Sequence, residues 1–240
     1  MKCVLMAFPG PRTGRSLKSD PLAVLSHEIA ACRICSLRPL GAPLPHEPRP
    51  VARLSRTAAI LIAGQAPGRR VHESGLPFDD ASGDRLRDWL AMDRPTFYDQ
   101  TKVAFLPMGF CFPGNDANGG DLPPRRECQV TWHARAMLEM PQISLLLLVG
   151  AHAQAYHLRR LGHAALQRKT LSETVVNWPA FAALRAPEVF ALPHPSWRNT
   201  GWLRKNPWFD NELVPRLREA ARRALAPAHP AITPKAPNPP

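Results

Sequence analysis

Four short apolar runs constrain this sequence more than any other feature. They lie at residues 58–63, 103–106, 143–149 and 189–192. Runs of this length are typical of parallel strands that are buried on both faces. Helical patterns separate them, and strands that alternate with helices predict a single-domain, three-layer α/β/α fold with a central, mostly parallel four-stranded sheet. We expect functional residues at the carboxyl ends of the strands.

Helical periodicity and capping signals predict where the helices lie. We expect helices over residues 22–31, 85–90, 125–140, 151–161 and about 210–225. Ser82 is the expected N-cap of the second helix, because serine is a preferred capping residue. The third strand passes directly into its helix through Gly150, which makes a strand–turn–helix unit.

The length and composition favour one compact domain. The chain has 240 residues and 45% hydrophobic content, too little for two large domains. We expect a flexible basic arm over residues 1–20, a folded domain over 21–225 and a disordered proline-rich tail over 226–240. The longest apolar stretch, residues 143–149, is far shorter than the roughly 20 residues that span a bilayer, which excludes a transmembrane helix. We therefore expect a cytoplasmic protein that does not bind membranes.

The charge and the proline content indicate what such a domain contacts and how it is built. The chain carries 31 Lys and Arg against 19 Asp and Glu, a formal net charge of +12. A surplus of this size favours a polyanionic partner such as nucleic acid. The 28 prolines, more than twice the usual ~5%, predict long irregular loops.

Four of the five cysteines form a candidate metal site. Cys32 and Cys35 make a C-x2-C motif at the end of a predicted helix, and Cys111 and Cys128 follow much later in the chain. Four thiolates bind a [4Fe-4S] cluster or a Zn²⁺ ion. The second pair lacks the tight C-x2-C spacing of a zinc ribbon, which favours the cluster, and four unconnected buried thiols remain the alternative. Cys3 lies in the predicted arm, outside this set.

Two loops at predicted strand ends carry the candidate chemistry. The first strand runs into the sequence G-Q-A-P-G at residues 64–68, whose glycines allow the backbone to approach a ligand closely. The last strand runs into H-P-S at residues 194–196, where two prolines hold His194 in an extended loop. A histidine held in this way aims its imidazole rigidly, although a turn histidine bonded to the backbone remains the alternative.

In combination and in this order, these motifs resemble the uracil-DNA glycosylase superfamily, and most closely its iron–sulfur families 4 and 5. The motifs are the early C-x2-C, the G-x-A-P-G loop, a G-x-P-F followed by S-G, the loop with the third and fourth cysteines, a strand followed by G-x-x-A, and the final H-P-S. The resemblance covers residues 22–225. It implies a uracil-DNA glycosylase-like fold and a monomer that acts on single- or double-stranded DNA containing uracil. It also implies a [4Fe-4S] cluster at Cys32, Cys35, Cys111 and Cys128.

The resemblance implies a hydrolytic enzyme that flips uracil out of DNA and excises it, as a monofunctional glycosylase that initiates base excision repair. His194 takes the place of the histidine that hydrogen-bonds uracil O2 while negative charge grows there. Phe78 takes the place of the aromatic on which the flipped base stacks, with a plain core phenylalanine as the alternative. Hypoxanthine, xanthine or another deaminated base remains a possible substrate.

The water-activating group follows family 5 more closely than family 4. Family 4 has a glutamate where this chain has Gln65, whose amide orients a water or binds the pyrimidine but is no general base. Asp80 matches the family 5 aspartate before S-G, and is the leading carboxylate; its alternative role is that of a helix cap. Asp79, Glu73 and His72 are its rivals.

Base recognition also departs from family 4, because Pro107 occupies the position of the asparagine that reads the uracil edge. A proline has neither a side-chain donor nor an N–H. Backbone groups of Met108 and Gly109, or the Gln65 amide, are expected to substitute. The base-binding residues expected on this basis are Gly64, Ala66, Phe78, Met108 and Gly109.

The segment after H-P-S is expected to contact DNA, since the superfamily inserts its minor-groove loop there. The candidate DNA-binding residues are Ser82, Ser196, Trp197, Arg198, Asn199, Arg204 and Lys205. Trp202 and Trp208 either insert into the DNA or pack beneath the loop. A non-catalytic iron–sulfur DNA-binding protein of the same fold is the alternative function, motivated by Gln65 and Pro107.

Overall fold

The computed structural model describes residues 20–181, 184 and 186–226. The predicted arm, apart from Asp20, and the predicted tail, apart from Ala226, lie outside the described residues, as does Cys3. In the described part of the chain, no helix combines the length and the apolar character that crossing a bilayer requires.

A four-stranded, entirely parallel sheet forms the centre of the molecule. Its strands are β1 (Ile60–Ala63), β2 (Val103–Phe105), β3 (Leu145–Val149) and β4 (Glu188–Leu192). Their spatial order is β2-β1-β3-β4. Ile60 pairs with both Val103 and Leu145, so pairing begins at the third residue of two of the predicted runs. The predicted α/β fold and its four strands are confirmed, with shifts of one or two residues at the strand ends.

Helices connect and cover these strands. They are α1 (Pro21–Ala30), α2 (Ile34–Leu37), α3 (Arg69–Ser74), α4 (Ala81–Leu90), α5 (Arg94–Tyr98), α6 (Arg126–Cys128), α7 (Ala134–Leu138), α8 (Ala151–Arg160), α9 (Leu171–Val176), α10 (Trp178–Phe181), α11 (Thr200–Lys205) and α12 (Val214–Leu225). Two π-helical turns precede α7 and α12, at Gln129–His133 and Phe209–Leu213. Short 3-10 turns lie at Ala164–Leu166 and Trp197–Asn199.

The sheet separates two hydrophobic cores, which makes the three layers. Alternate residues of a strand point to opposite faces, and Ile60 and Ile62 belong to one core while Leu61 and Ala63 belong to the other. Side chains of α4 and α12 cover the first face, and side chains of α1, α7 and α8 cover the second. All of β1 to β3 is therefore buried, which explains why their sequences are continuously apolar.

The structure corrects two details of the predicted helices. Asp80, not Ser82, is the N-cap of α4, because its Oδ1 accepts a hydrogen bond from the Gly83 N–H at 3.0 Å. Ser82 lies one position inside the first turn. The helix predicted over 125–140 is interrupted by the π-helical turn Gln129–His133, which places one extra residue in the turn between Cys128 and α7.

Candidate active site

A cavity of about 350 Å³ opens at the carboxyl ends of β1, β2 and β4. Its size lies within the ~300–1,000 Å³ that small-ligand sites usually have. The polar side chains on its wall come from four separate segments of the chain. They are Gln65, Asp80, Ser82, Asp121, His194, Ser196 and Arg198. The two strand-end loops that the sequence singled out thus meet at one cavity.

The loop after β1 is held in place by the chain that follows β2. The N–H of Met108 donates to the Gly64 carbonyl oxygen at 2.9 Å, and the N–H of Gly109 donates to the Gln65 carbonyl oxygen at 2.8 Å. Met108 and Gly109 are buried and do not line the cavity, unlike Pro107. The expectation that backbone groups of these two residues contact a base is not met: their N–H groups are bonded to the loop, and neither residue reaches the cavity. Gly64 and Ala66 do line the cavity.

Gln65 packs against the glycine that follows β3. A β-carbon on Gly150 would lie 3.0 Å from Gln65 Cδ, and the backbone φ of Gly150 is +89°. Both facts favour glycine at this position, since a side chain there would be strained and would displace the glutamine. The Gln65 amide, which has a donor and an acceptor, is therefore held on the cavity wall.

The aromatic wall of the cavity is Phe78, which has an uncommon backbone conformation. Its φ is +54°, a value that costs a non-glycine residue ~1–3 kcal/mol. Tyr98 Oη donates to the Phe78 carbonyl oxygen at 3.1 Å and holds the turn in place. The ring edge lies against Gly64, where a β-carbon would be 3.2 Å from Cζ. Phe78 thus presents a ring to the cavity and also packs on the adjoining core.

The predicted carboxylates differ in where they lie. Asp80 both caps α4 and lines the cavity, so the expected cap is observed and the carboxylate also lies where the expected catalytic role requires it. Asp79 does not line the cavity; it forms an ion pair with Arg94 at 2.8 Å, and this partner lowers the pKa of the Asp79 carboxyl. His72 and Glu73 lie on α3 and do not line the cavity. The structure thus separates Asp80 from all three of its rivals.

His194 lines the cavity from the loop after β4. Asn199 Nδ2 donates to the His194 carbonyl oxygen at 2.7 Å, which ties this loop to the following turn. Burial lowers the pKa of the imidazole, and the negative charges of Asp80 and Asp121 oppose that shift in part. A lowered pKa keeps the ring neutral at pH 7, with one nitrogen protonated. It can therefore donate a hydrogen bond to an atom that becomes negative.

Asp121 is a cavity residue that the sequence analysis missed. It lies in the loop between Cys111 and Cys128, where neither helix nor strand periodicity indicates which side chains face the site. The position is far in sequence from the other cavity residues. Arg85 was also missed: its guanidinium donates to the Ser196 carbonyl oxygen at 2.9 Å and to Thr200 Oγ1 at 3.2 Å, so it joins α4 to the loop after β4.

Trp197 and Arg198 form the exposed rim of the cavity. Trp197 is 73% exposed, and the Arg198 guanidinium carbon lies 5.6 Å from the centre of its ring. Asn199, Arg204 and Lys205 do not line the cavity; Asn199 holds the His194 loop, and the two cations lie on α11. An exposed aromatic beside a cation is suited to stacking on a base near a phosphate.

The other two tryptophans of this region are half-buried and pack against the core. Trp202 Nε1 donates to Ser172 Oγ at 2.7 Å, and Trp208 Nε1 donates to Asn206 Oδ1 at 3.1 Å. Both rings lie edge-on to the buried Phe209. The packing alternative therefore describes Trp202 and Trp208, which leaves Trp197 as the exposed aromatic of the loop.

The predicted cysteine ligands lie near one another around α2, which carries Cys35. The thiols of Cys35 and Cys128 share a hydrogen bond, which lowers the pKa of Cys35 to about 7 and raises that of Cys128. Burial raises the pKa of Cys111 to about 12, and the charges of Cys32 and Cys35 add to this effect. The Phe110 N–H donates to Cys128 Sγ at 3.3 Å.

All four thiols are free; Cys35, Cys111 and Cys128 are buried, and Cys32 is half-buried. Within residues 20–181, 184 and 186–226, no group of three or more His, Cys, Asp or Glu side chains is arranged to hold a metal ion. The donor chemistry nevertheless suits a metal or cluster, because four cysteine thiolates are a donor set that both Zn²⁺ and [4Fe-4S] clusters take.

The sheet and both strand-end loops lie in a stretch of the chain that matches a known protein family. The model of the uracil DNA glycosylase superfamily matches residues 52–218 of this chain, which is more than half of its length. The match includes all four strands, both strand-end loops, Cys111 and Cys128. Cys32 and Cys35 lie before it.

Proposed function

The chain belongs to the uracil-DNA glycosylase superfamily, and we propose that it is a monofunctional glycosylase that hydrolyses the N-glycosidic bond of uracil in DNA and so initiates base excision repair. The observation that carries the proposal is the cavity itself. It brings Gln65, Phe78, Asp80 and His194 from three segments to one pocket of suitable size. These side chains supply the stacking ring, the carboxylate and the hydrogen-bond donor that excision of a flipped base requires.

The base enters the cavity after it has been extruded from the DNA stack. Phe78 stacks on the base, and its fixed backbone keeps the ring in position before DNA arrives. The Gln65 amide, held against Gly150, offers a donor and an acceptor to the uracil edge. This role takes the place of a side chain at Pro107, which has none to offer.

Bond cleavage leaves negative charge on the base and positive charge on the sugar. His194 donates its N–H to uracil O2 as that oxygen becomes negative. Its neutral state allows this donation without an initial proton transfer, and preorganised donors of this kind commonly lower a barrier by ~3 kcal/mol. Asp80, fixed as the N-cap of α4, places a negative charge near the positive sugar and orients a water with the oxygen that does not cap the helix.

DNA binding is assigned to the rim and to the basic surface beside it. Trp197 fills the space that the flipped base leaves, and Arg198 contacts a neighbouring phosphate. Ser82 and Ser196 line the cavity and donate to phosphates near the target nucleotide. Arg204 and Lys205 on α11 add to a net charge of +12 that favours the DNA backbone.

Cys32, Cys35, Cys111 and Cys128 are proposed to hold a [4Fe-4S] cluster, with Zn²⁺ as the alternative. Either group, once bound, would join the segment before the sheet to the loop between β2 and α6, and would take no part in bond cleavage. A four-iron cluster gives a brown protein, and treatment with a chelator or oxidant bleaches it. A colourless protein with one zinc per chain would overturn the cluster assignment.

A base-release panel tests the proposed activity. Oligonucleotides that contain uracil, hypoxanthine or xanthine are incubated with the protein as single and double strands, and free base and alkali-labile sites are measured. We expect uracil release to be the fastest. Absence of base release from every substrate would favour the non-catalytic DNA-binding alternative.

A further inference from the structure

The loop between Cys111 and Cys128 folds into a short hairpin that ends at the cavity. Asn115 and Asp121 pair in an antiparallel bridge, and the N–H of Leu122 donates to the Gly114 carbonyl oxygen at 2.9 Å. Asp116 Oδ1 closes the tip, where it accepts two backbone N–H groups at 2.8 Å. The backbone pairing of the hairpin therefore decides where the Asp121 side chain lies.

The Asp121 carboxylate is oriented by an uncharged partner and by a glycine. Its Oδ1 accepts a hydrogen bond from Asn115 Nδ2 at 3.1 Å. Its Oδ2 would lie 3.6 Å from a β-carbon on Gly68, the last residue of the G-Q-A-P-G loop. Because Gly68 has no side chain, the carboxylate stands directly beside this loop, on the wall of the cavity.

The other carboxylates of this region are occupied differently. Asp79 is paired with Arg94 outside the cavity, and Asp80 uses one oxygen to cap α4. Asp121 lines the cavity and forms no ion pair with any described residue. Its negative charge acts on the imidazole of His194, which lines the same cavity, and partly offsets the lowering of the His194 pKa by burial.

A carboxylate without a cationic partner weakens DNA binding, because its negative charge repels the phosphates around the flipped nucleotide. The same charge stabilises the transition state, in which the sugar is positive and the attacking water gives up a proton. An interaction that is stronger in the transition state than in the bound substrate is the kind that accelerates a reaction.

We propose that Asp121 is a catalytic residue, the carboxylate that accepts the proton of the attacking water. This role rests on the proposed glycosylase function and supplies the general base that Gln65 cannot be. Asp80 then acts through its charge and orients the water, and Asp121 takes the proton.

Hydrolysis replaces the bond from C1′ to the base with a bond from C1′ to the water oxygen. The bond between C1′ of the deoxyribose and the ring nitrogen of the base breaks, and its electron pair leaves with the base. The water oxygen forms the new bond to C1′ while one water proton moves to Asp121. The N–H of His194 holds the departing base anion, which takes up a proton from solvent, and Asp121 returns its proton to solvent. The products are the free base and an abasic sugar with a hydroxyl on C1′.

Single-turnover release of uracil from a double-stranded oligonucleotide, with the enzyme in excess, tests this role. Asp121→Asn keeps the size of the side chain and its acceptor oxygen for Asn115. We expect its rate to fall about 100-fold or more, the range of a general base, with DNA affinity unchanged or tighter. Asp116→Asn, at the tip of the same hairpin, is the matched control and should stay within about twofold of the wild type.

Asp121→Ala provides a second readout that a structural role would not move. Added formate should raise the rate of this variant, because it returns a carboxylate to the vacated space, and should leave Asp121→Asn unchanged. If Asp121→Asn unfolds, this rescue decides the question, and failure of formate to raise the rate overturns the role.

The outcomes separate this role from the proposed function. If the wild type releases no base, the proposed function fails. If the wild type releases uracil and Asp121→Asn does so equally fast, only the role of Asp121 fails. A variant that loses uracil release but gains release of another base would show that Asp121 reads the base edge, which also overturns the role.

Discussion

The carbonyl oxygen of Phe78 lies directly against the α-carbon of Gly83. A β-carbon at Gly83 would be only 1.8 Å from that oxygen. This contact lets the first turn of α4 pass beneath the strained backbone of Phe78, whose ring forms the wall of the cavity. The S-G pair in the sequence therefore sets the position of the aromatic ring.

Gly83→Ala should lower both stability and activity. The added methyl group cannot be placed without moving the Phe78 backbone or the start of α4, and overpacking of this kind costs ~1–3 kcal/mol. We expect the midpoint of urea unfolding to fall and the single-turnover rate of uracil release to fall with it. Gly201→Ala is the control, because Gly201 lies in α11 with no atom within 4 Å of the added carbon. It should be neutral or stabilise the protein by up to ~1 kcal/mol. Equal behaviour of the two variants would contradict this account of Phe78.

Trp197→Ala should weaken binding to DNA. Stacking of an aromatic on a base is worth ~1–3 kcal/mol, so we expect Kd for a uracil-containing duplex to rise about tenfold. Leu138→Ala on α7 is the control, because Leu138 is also a large exposed apolar residue, 76% exposed, but lies away from the cavity. Fluorescence anisotropy with a labelled duplex measures both. A loss of affinity as large in Leu138→Ala as in Trp197→Ala would remove Trp197 from the DNA interface.

Acid should destabilise the protein through two buried histidines. Burial lowers the pKa of His133 to about 4 and that of His157 to about 3, with the charge of Arg160 adding to both shifts. The unfolded chain titrates near 6.5. Between these values the unfolded state binds more protons, so the free energy of unfolding falls as the pH is lowered from about 6.5. Each pH unit in this window removes up to ~1.4 kcal/mol per histidine.

Urea unfolding at pH 7.5 and pH 5 measures this loss of stability. The variant His157→Met removes the contribution of His157 and leaves that of His133. In the described part of the chain neither ring nitrogen of His157 has a hydrogen-bond partner, so an apolar replacement should be tolerated. The variant should lose stability less steeply than the wild type as the pH falls. His27→Gln, at an exposed position on α1, should follow the wild type. An unaltered pH dependence in His157→Met would show that this ring is protonated in the folded state.

The sequence predicted those features that depend on local pattern. The four runs of apolar residues became the four strands, because burial on both faces requires continuous apolar sequence. The strand-end loops that carry Gln65 and His194 were placed correctly at the carboxyl edge, since parallel strands bring their ends together.

Features that depend on contacts between distant segments were not predicted. Asp121 reaches the cavity through a hairpin whose bridge to Asn115 has no periodic signal. Met108 and Gly109 were expected to face a base, but their N–H groups bond to the loop after β1, and only the tertiary structure shows which partner a backbone donor has. The cap of α4 was misplaced by two residues, because Asp80 and Ser82 are equally good capping types.

Release of uracil by the wild type and by His194→Ala measures whether the protein is a glycosylase and whether His194 stabilises the departing base. The substrate is a duplex with one uracil, the enzyme is in excess, and free uracil and alkali-labile strand are measured together. We predict that the wild type yields both in equal amounts, and that His194→Ala slows the reaction about 100- to 1,000-fold while DNA affinity stays within a few-fold. A folded wild-type protein that binds this duplex and releases no uracil, or a His194→Ala variant as fast as the wild type, would contradict the account.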